Sequence, residues 1–419
     1  MSENQQKLKI GIISEWFTPE PYLIPESLGQ FLKEQGHDVK VLTSFPNYPG
    51  GTIYPGYKQK WRMQEDVNGL NVLRVPVFPT HDSSGIKRFL TFSSFSASTS
   101  TAFRWLMDRD VIYVHASPLT VAQAGLMLKI LGRKPFIIDI QDLWPDSVIN
   151  SGMSGGKKVT ETLEKLITQY AKFVYNKASY ITAIAPTMKQ KIVSLGIPEE
   201  KVSVVYNSDP MEDLIFDGLP HEMRKKLGTG KERLIVFAGN IGKMQNIDNV
   251  IRAAKILQDR KVDNVDICIL GQGVDLDNIK ELSKEHGVKN VKFVDRVEYT
   301  EMPEVYAASD FQLVTLKDRD VFYGTVPSKL GVSISHSAPV ITAVGGDVKR
   351  LVTENKLGYA VDPENPEQLA DAIEEASSLS DQEIADLRIH VKDFYNNNLA
   401  REIGHSKTEE LLLKAYENK

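Results

Sequence analysis

The sequence predicts an α/β protein of two successive units, each built on a parallel sheet with helices on both faces. Short β-rich apolar runs alternate with longer helix-patterned segments from the start of the chain, and the alternation begins again past the middle. Uninterrupted apolar strands separated by helices mark strands that are buried on both faces, as in a parallel sheet. At about 150 residues per domain, 419 residues make two or three domains, each able to bury its own core.

In the first unit Lys9 to Ser14, Val39 to Ser44, Asn71 to Val77, Val111 to His115 and Phe136 to Ile140 read as strands, with helical content between them, as at Leu28 to Glu34. Val159 to Ala178 reads as a surface helix whose apolar stripe is Leu163, Leu166, Ile167, Tyr170 and Val174. Tyr180 to Ile184 and Val202 to Val205 are further strands. A turn at Asn207-Ser208-Asp209-Pro210 and a polar stretch from Pro220 to Lys231 place the linker near 207 to 232. The second unit follows with strands Leu234 to Ala238, Asp266 to Leu270, Val291 to Val294, Phe311 to Thr315 and Val340 to Ala343. Two such sheets facing one another are expected to bind a ligand between them, at the carboxyl ends of the strands.

Composition removes other classes. With 42% hydrophobic and 25% charged residues the chain is neither collagen-like nor disordered, and its single cysteine, Cys268, excludes an intrachain disulfide and reads as a buried strand residue. No stretch approaches the roughly 18 to 20 uncharged apolar residues of a membrane span. The net charge of −5 is unevenly distributed: 23 basic and 19 acidic residues lie up to Pro210, against 27 and 36 beyond it. A mildly basic first half suits an anionic surface, although solvated faces can differ without consequence.

The redox-dinucleotide and P-loop glycine patterns and zinc-ligand spacings are absent. Instead, Gly239-Asn240-Ile241-Gly242-Lys243 follows one strand of the second unit, with a helix expected from about Asn246, and Gly271-Gln272-Gly273 follows the next strand, again opening a helix. Thr325-Val326-Pro327-Ser328-Lys329 sets a proline and a serine at a helix start, with a cation one turn in. Glycines allow close backbone approach, and helix N-termini offer free N–H groups, so together these junctions suit a diphosphate. Each alone is ordinary turn and cap chemistry. In the first unit His115 ends a strand, Asp139-Ile140-Gln141-Asp142-Leu143-Trp144-Pro145-Asp146 follows another, and a long aromatic, proline-rich loop runs from Phe45 to Tyr57. Such loops tend to be functional.

These residues resemble the retaining glycosyltransferases of family 4, of GT-B fold, over nearly the whole chain, and most closely their WbuB-like branch. The likeness is carried by Pro46-Asn47-Tyr48-Pro49-Gly50-Gly51 with Tyr54-Pro55-Gly56-Tyr57, by Asp142-Leu143-Trp144-Pro145-Asp146, by Ala238-Gly239-Asn240-Ile241-Gly242, by Met302-Pro303-Glu304-Val305-Tyr306-Ala307, and by Val326-Pro327-Ser328-Lys329-Leu330. It implies two facing Rossmann-like parallel-sheet domains with a deep interdomain cleft. Residues 1–207 would bind the acceptor, with a C-terminal helix at about 394–419 packing back onto them, and 208–393 would bind the nucleotide sugar. Gly239 and Gly242 would admit the diphosphate, Lys243 and Lys329 would neutralise it as it leaves, and Arg296 and Val297 would lie at the base. Asn240, Gly271, Gly273, Pro327 and Ser328 complete the implied donor site. His115 would contact the donor sugar, and Asp142 would orient or deprotonate the acceptor. Asn47, Tyr48, Gly50, Gly51 and Trp144 would line the acceptor side. No metal or cofactor is implied, the UDP-sugar being a donor substrate.

The chain departs from the family pattern. Gly324 and Val332 stand where many members carry two glutamates eight residues apart, and Asn240 and Gln245 where an arginine and a lysine are common. The segments Ile86 to Phe92 and Phe103 to Leu106 join aromatics to bases as an interfacial helix would, while an internal helix explains the same pattern. The expected function is transfer of an N-acetylated amino sugar from a UDP-sugar to a lipid-linked saccharide in O-antigen or capsule assembly, at the cytoplasmic face of the plasma membrane. An anionic membrane surface is the expected partner and nucleic acid is not. The missing glutamates admit a second reading, a non-catalytic GT-B subunit that binds glycan or another transferase. A third, a nucleotide-sugar epimerase, has no use for the loop from Pro46 to Tyr57.

Overall fold

The computed structural model describes residues 6–80, 85–145, 157–209, 212–228 and 230–419. These form two compact units, Met1–Tyr206 with Gly404–Lys419, and Asn207–Ile403.

The first unit holds strands β1 (Lys9–Ser14), β2 (Asp38–Ser44), β3 (Met63–Val67), β4 (Leu70–Val75), β5 (Val111–Ala116), β6 (Phe136–Ile140), β7 (Tyr180–Ala183) and β8 (Val202–Val204). Their order is β3-β4-β2-β1-β5-β6-β7-β8. Every residue of β5 and β6 is buried, as strands covered on both faces must be. The sheet is mixed rather than wholly parallel: β3 pairs antiparallel with β4 along one edge. Asn68 (φ 53) and Gly69 (φ 78) turn this hairpin, and Asn-Gly is the dipeptide that a two-residue turn of positive φ selects. The core gathers Ile10, Ile12, Phe17, Leu28, Leu32 and Val41 with Leu412 and Ala415 from the far end of the chain. That return begins later than expected. Asp381–Asn398 and Arg401–Glu417 are separate helices, and the residues that join the first unit start at Gly404, not near 394.

Two helices differ from expectation. Lys157–Lys177 turns Ala171, Val174 and Tyr175 inward; of the expected stripe Val174 is buried and Leu163, Ile167 and Tyr170 are half-buried, while Leu166 is exposed. Gly85–Ala102 continues into a tight turn at Phe103–Leu106, and Phe95, Thr99, Ala102 and Leu106 are buried. Its second half is therefore internal, while Lys87 and Leu90 near its start are exposed. Among the described residues no helix is long and apolar enough to cross a membrane.

The second unit holds β9 (Arg233–Ala238), β10 (Val265–Leu270), β11 (Val291–Val294), β12 (Phe311–Thr315), β13 (Val340–Ala343) and β14 (Gly358–Ala360), in the order β11-β10-β9-β12-β13-β14. All its pairings are parallel. One face packs Phe237, Ile251, Ile267 and Ile341, the other Val236, Cys268 and Leu270 with Met223 and Leu227. The last two belong to a short helix, His221–Leu227, inside the polar stretch that separates the two sheets in sequence. Burial pushes the Cys268 thiol up to about 12, so this residue acts as a small hydrophobe.

Candidate functional site

In the second unit the chain leaves β9, β10 and β11 at the same edge of the sheet, and the loops stack on one another. Gly239 N–H donates to Leu270 O (2.9 Å), Ile241 N–H to Gln272 O (2.8 Å) and Gly271 N–H to Val294 O (3.0 Å). This stacking is what the glycines serve. A Cβ on Gly271 (φ +141) would lie 1.9 Å from Gly239 O, and one on Gly273 would lie 2.2 Å from Ile241 O. A Cβ on Gly239 (φ +140) would lie 2.6 Å from the Lys329 Cε, so that glycine makes room for the lysine stem.

Lys329 is the second residue of helix Ser328–Ser335, earlier than the one-turn offset expected, because the helix begins directly after Pro327. Its ammonium lies 3.9 Å from the centre of the Phe237 ring and donates to Gln245 Oε1. Burial pushes this amine down to about 7. Beside it opens a cavity of about 580 Å³, a size usual for small-molecule sites. Of the expected donor residues, Gly239, Asn240, Gly271, Arg296, Val297, Ser328 and Lys329 line it. Gly242, Gly273, Pro327 and the exposed Lys243 do not. The helix expected from about Asn246 runs over Ile247–Asp259, after a tight turn at Lys243–Gln245, whereas the second loop does not open a helix directly, since Leu276–Glu285 starts three residues past Gly273.

Tyr299 in this wall is marked by no sequence signal, Gln272 and Tyr306 stand inside quoted motifs without a role of their own, and Val332 is noted only as a departure. Tyr306 stacks on His336 with ring centres 5.0 Å apart, and His336 Nε2 lies 3.3 Å from Asp209 Oδ2. Ser335 Oγ donates to the same carboxylate at 2.8 Å, so the turn at Asn207 to Asp209 is moored to the cavity wall. Its expected fourth residue, Pro210, lies outside the described residues. Arg296 and Lys329 are the charged residues lining the cavity, both cationic, which suits an anionic ligand.

In the first unit Ser14, His115, Asp139 and Thr182 lie side by side on β1, β5, β6 and β7. Neighbours in such a row face the same way, and the side chains accordingly join up. Thr182 Oγ1 donates to Asp139 Oδ1 (2.7 Å), while Tyr113 OH (2.8 Å) and Gln141 Nε2 (2.7 Å) donate to Oδ2. His115 Nδ1 is 2.8 Å from the same Oδ2, and its Nε2 is 2.8 Å from Tyr22 OH. Burial raises the Asp139 pKa, but the hydrogen bond and charge of His115 and the two hydroxyl donors outweigh it and hold the carboxyl below its ordinary value. Asp139 and Tyr22 were not among the expected site residues. Both ring nitrogens of His115 have partners here, and the residue is buried. Asp142 is exposed and accepts from Ser117 Oγ at 3.3 Å.

The expected acceptor residues divide. Tyr48 stacks on Trp16 with centroids 4.5 Å apart, beside Tyr22. A Cβ on Gly50 would meet only the Thr52 Oγ1, at 3.8 Å, and Gly51 takes a positive φ of 65°. Asn47 and Trp144, by contrast, are 3% and 8% exposed and offer almost no surface to a ligand. Asn47 instead closes its own loop, its Nδ2 donating to Phe45 O and its N–H to Glu20 Oε1. Glu20 also receives the N–H groups of Phe17 and Tyr48 and so shapes the aromatic loop. Asp146 lies outside the described residues. Nearby Glu15, one residue past β1, is buried with no hydrogen-bond partner on either carboxylate oxygen among the described residues, and burial followed by the Glu20 charge pushes it up to about 8.

Residues 25–208 match the family model of the glycosyl transferase 4-like domain, and residues 221–390 that of the glycosyl transferases group 1. A putative colanic acid biosynthesis glycosyl transferase, WcaI, of Escherichia coli (strain K12) is 27% identical across 88% of this chain and 92% of its own. The N-acetyl-alpha-D-glucosaminyl L-malate synthase of Bacillus anthracis is 23% identical across 84% and 83%. Among solved structures, Anabaena Alr3699/HepE in complex with UDP and glucose superposes with a TM-score of 0.67 at 16% identity, over 97% of this chain and 100% of that one. WaaG, a glycosyltransferase involved in lipopolysaccharide biosynthesis, gives 0.63 at 14% identity over 96% and 99%. At these identities the structures attest to the fold.

Proposed function

The chain belongs to the family 4 glycosyltransferases of GT-B fold, and from that premise we propose that it moves an N-acetylated amino sugar from a UDP-sugar to a lipid-linked saccharide with retention of anomeric configuration. The observation that carries this reading is the cavity at the ends of β9 to β11, whose charged lining residues are the cations Arg296 and Lys329. In the transfer, the bond from the sugar carbon to the diphosphate oxygen breaks. The acceptor oxygen bonds that carbon on the same face, and the acceptor proton passes to the departing phosphate oxygen. Charge grows on the diphosphate as it leaves, and fixed cations lower the energy of that state. The relatives in colanic acid and glucosaminyl malate synthesis support a role in glycoconjugate assembly.

An anionic membrane surface as partner is supported by an exposed patch on the first unit. Trp61, Phe78 and Leu90 are exposed, as are Lys58, Lys60, Arg62 and Lys87. Gln59 bonds Val77 at both N–H and C=O, and Phe78 N–H donates to Ser94 Oγ on the helix that carries Lys87 and Leu90, while Arg62 donates to Thr101 O near the other end of that helix, so the segment lies along it. One observation favours a non-catalytic subunit instead: Val332 sets an apolar side chain in the cavity wall where many family members carry a glutamate.

A single experiment separates the two readings. The chain is screened by thermal shift against UDP, ADP and GDP and then assayed for UDP release from a panel of UDP-sugars with a polyprenyl-diphosphate saccharide. Stabilisation by UDP and release that requires the acceptor are expected. Binding without release from any sugar supports the non-catalytic reading, and absence of nucleotide binding rejects the site.

A further inference from the structure

In the second unit's cavity the Lys329 ammonium has no anionic partner among the described residues. The Lys329 ammonium donates to the amide oxygen of Gln245 and lies on the Phe237 ring, and both partners carry no charge. Titratable groups facing it are Arg296 from the segment after β11, Tyr299 from the turn that follows, and Tyr306 from helix Met302–Ala308. Burial raises both tyrosines above their ordinary value, so they stay protonated and neutral. Lys243, on the loop after β9, is exposed and does not line the cavity. A half-buried ammonium with no counter-ion among the described residues sheds its proton readily, and desolvation brings this amine down to about 7. A diphosphate beside it reverses the balance, because its negative charge favours the ammonium over the amine. Arg296 cannot respond in this way, since a guanidinium remains charged throughout.

We propose that a nucleoside diphosphate enters this cavity together with a proton, which the Lys329 Nζ takes up to complete its ammonium. The proposal rests on the reading of the cavity as a nucleotide-diphosphate site. Its balance is simple: the free amine gains one proton from solvent on binding and returns it when the nucleotide leaves. High pH therefore favours release of the product nucleotide, and low pH favours its retention.

Calorimetric titration of the full chain with UDP at about pH 8.5, in two buffers of different ionisation enthalpy, reads the proton directly. The terminal phosphate of UDP titrates near 6, so at this pH the nucleotide exchanges no proton of its own. Uptake approaching one proton per UDP is expected, with affinity falling about tenfold per pH unit above neutrality. Lys329→Arg is expected to bind UDP with the same heat in both buffers. Gln245→Glu, which gives the amine a counter-ion before ligand arrives, is expected to lose the uptake as well and tests the idea if the arginine does not fit. Equal heats for the wild-type chain overturn the proposal while leaving the nucleotide site standing. Uptake that persists in both variants overturns the assignment to Lys329. No heat and no thermal shift with UDP, ADP or GDP overturns both readings.

Discussion

At the scale of single residues, Lys329 and Glu15 are opposite cases of one rule, that burial without a counter-charge disfavours the charged form. Lys329 faces a cavity that can supply the missing charge, and the Glu15 carboxylate has no hydrogen-bond partner among the described residues. Replacing Lys329 by alanine should lower the rate of UDP release at least tenfold, the usual effect of losing one group that stabilises developing charge. Unchanged release would remove the lysine from the diphosphate site. Glu15 bears on stability. Its folded value of about 8 lies above the ordinary 4.5, so the stability it confers is complete below the unfolded value and is lost as pH rises toward 8. Glu15→Gln does not titrate. Its unfolding free energy relative to wild type should therefore rise by a few kcal/mol between about pH 5 and about pH 8 in urea denaturation. A difference that stays flat with pH would show that Glu15 is ionised in the fold. Neither residue is marked by a motif for these properties. Lys329 stands inside the proline-serine-lysine run, whereas Glu15 is an unremarked letter after the first strand.

At the scale of elements, the glycine loops behave differently from the sequence expectation. They were read as openings for a phosphate, and the structure shows that Gly271 and Gly273 are required by the neighbouring loop's backbone, with Gly239 required by the lysine stem. The distinction can be measured. Gly271→Ala should cost about 3 kcal/mol, from a positive φ together with a Cβ 1.9 Å from a carbonyl oxygen, and should abolish nucleotide binding. Gly287→Ala, also at positive φ but with nothing within 4 Å, should cost about 1 kcal/mol and spare binding. Equal costs at the two positions would mean that loop stacking contributes nothing. The missed hairpin at Asn68 and Gly69 was legible, since Asn-Gly between alternating residues is a strong turn signal. It was passed over because β3 is short and polar on its outer face.

At the scale of the whole molecule, the charge asymmetry seen in the sequence acquires a location. The basic excess before Pro210 includes the exposed Lys58, Lys60, Arg62 and Lys87, on the same unit as exposed Trp61, Phe78 and Leu90. At about 1 kcal/mol per cation near an anionic surface, neutralising Lys58, Lys60 and Arg62 together should weaken binding to phosphatidylserine vesicles on the order of a hundredfold, as should high salt for the wild type. Vesicle sedimentation that is indifferent to both would exclude this patch as a docking surface. The alternation of apolar strands with helices determined the two-unit α/β fold, because strand burial on both faces leaves a continuous apolar run in the sequence itself. The loop motifs likewise determined most of the cavity wall, since residues that follow successive parallel strands must emerge at one edge of the sheet. What only tertiary structure decided is which of those residues are available. Asn47 and Trp144 are buried, Lys243 points elsewhere, and His115 is held between Asp139 and Tyr22, residues 117 positions apart that no spacing links. Hydrogen-bond partners and burial depend on side chains brought together across strands, and periodicity along one chain carries no record of them.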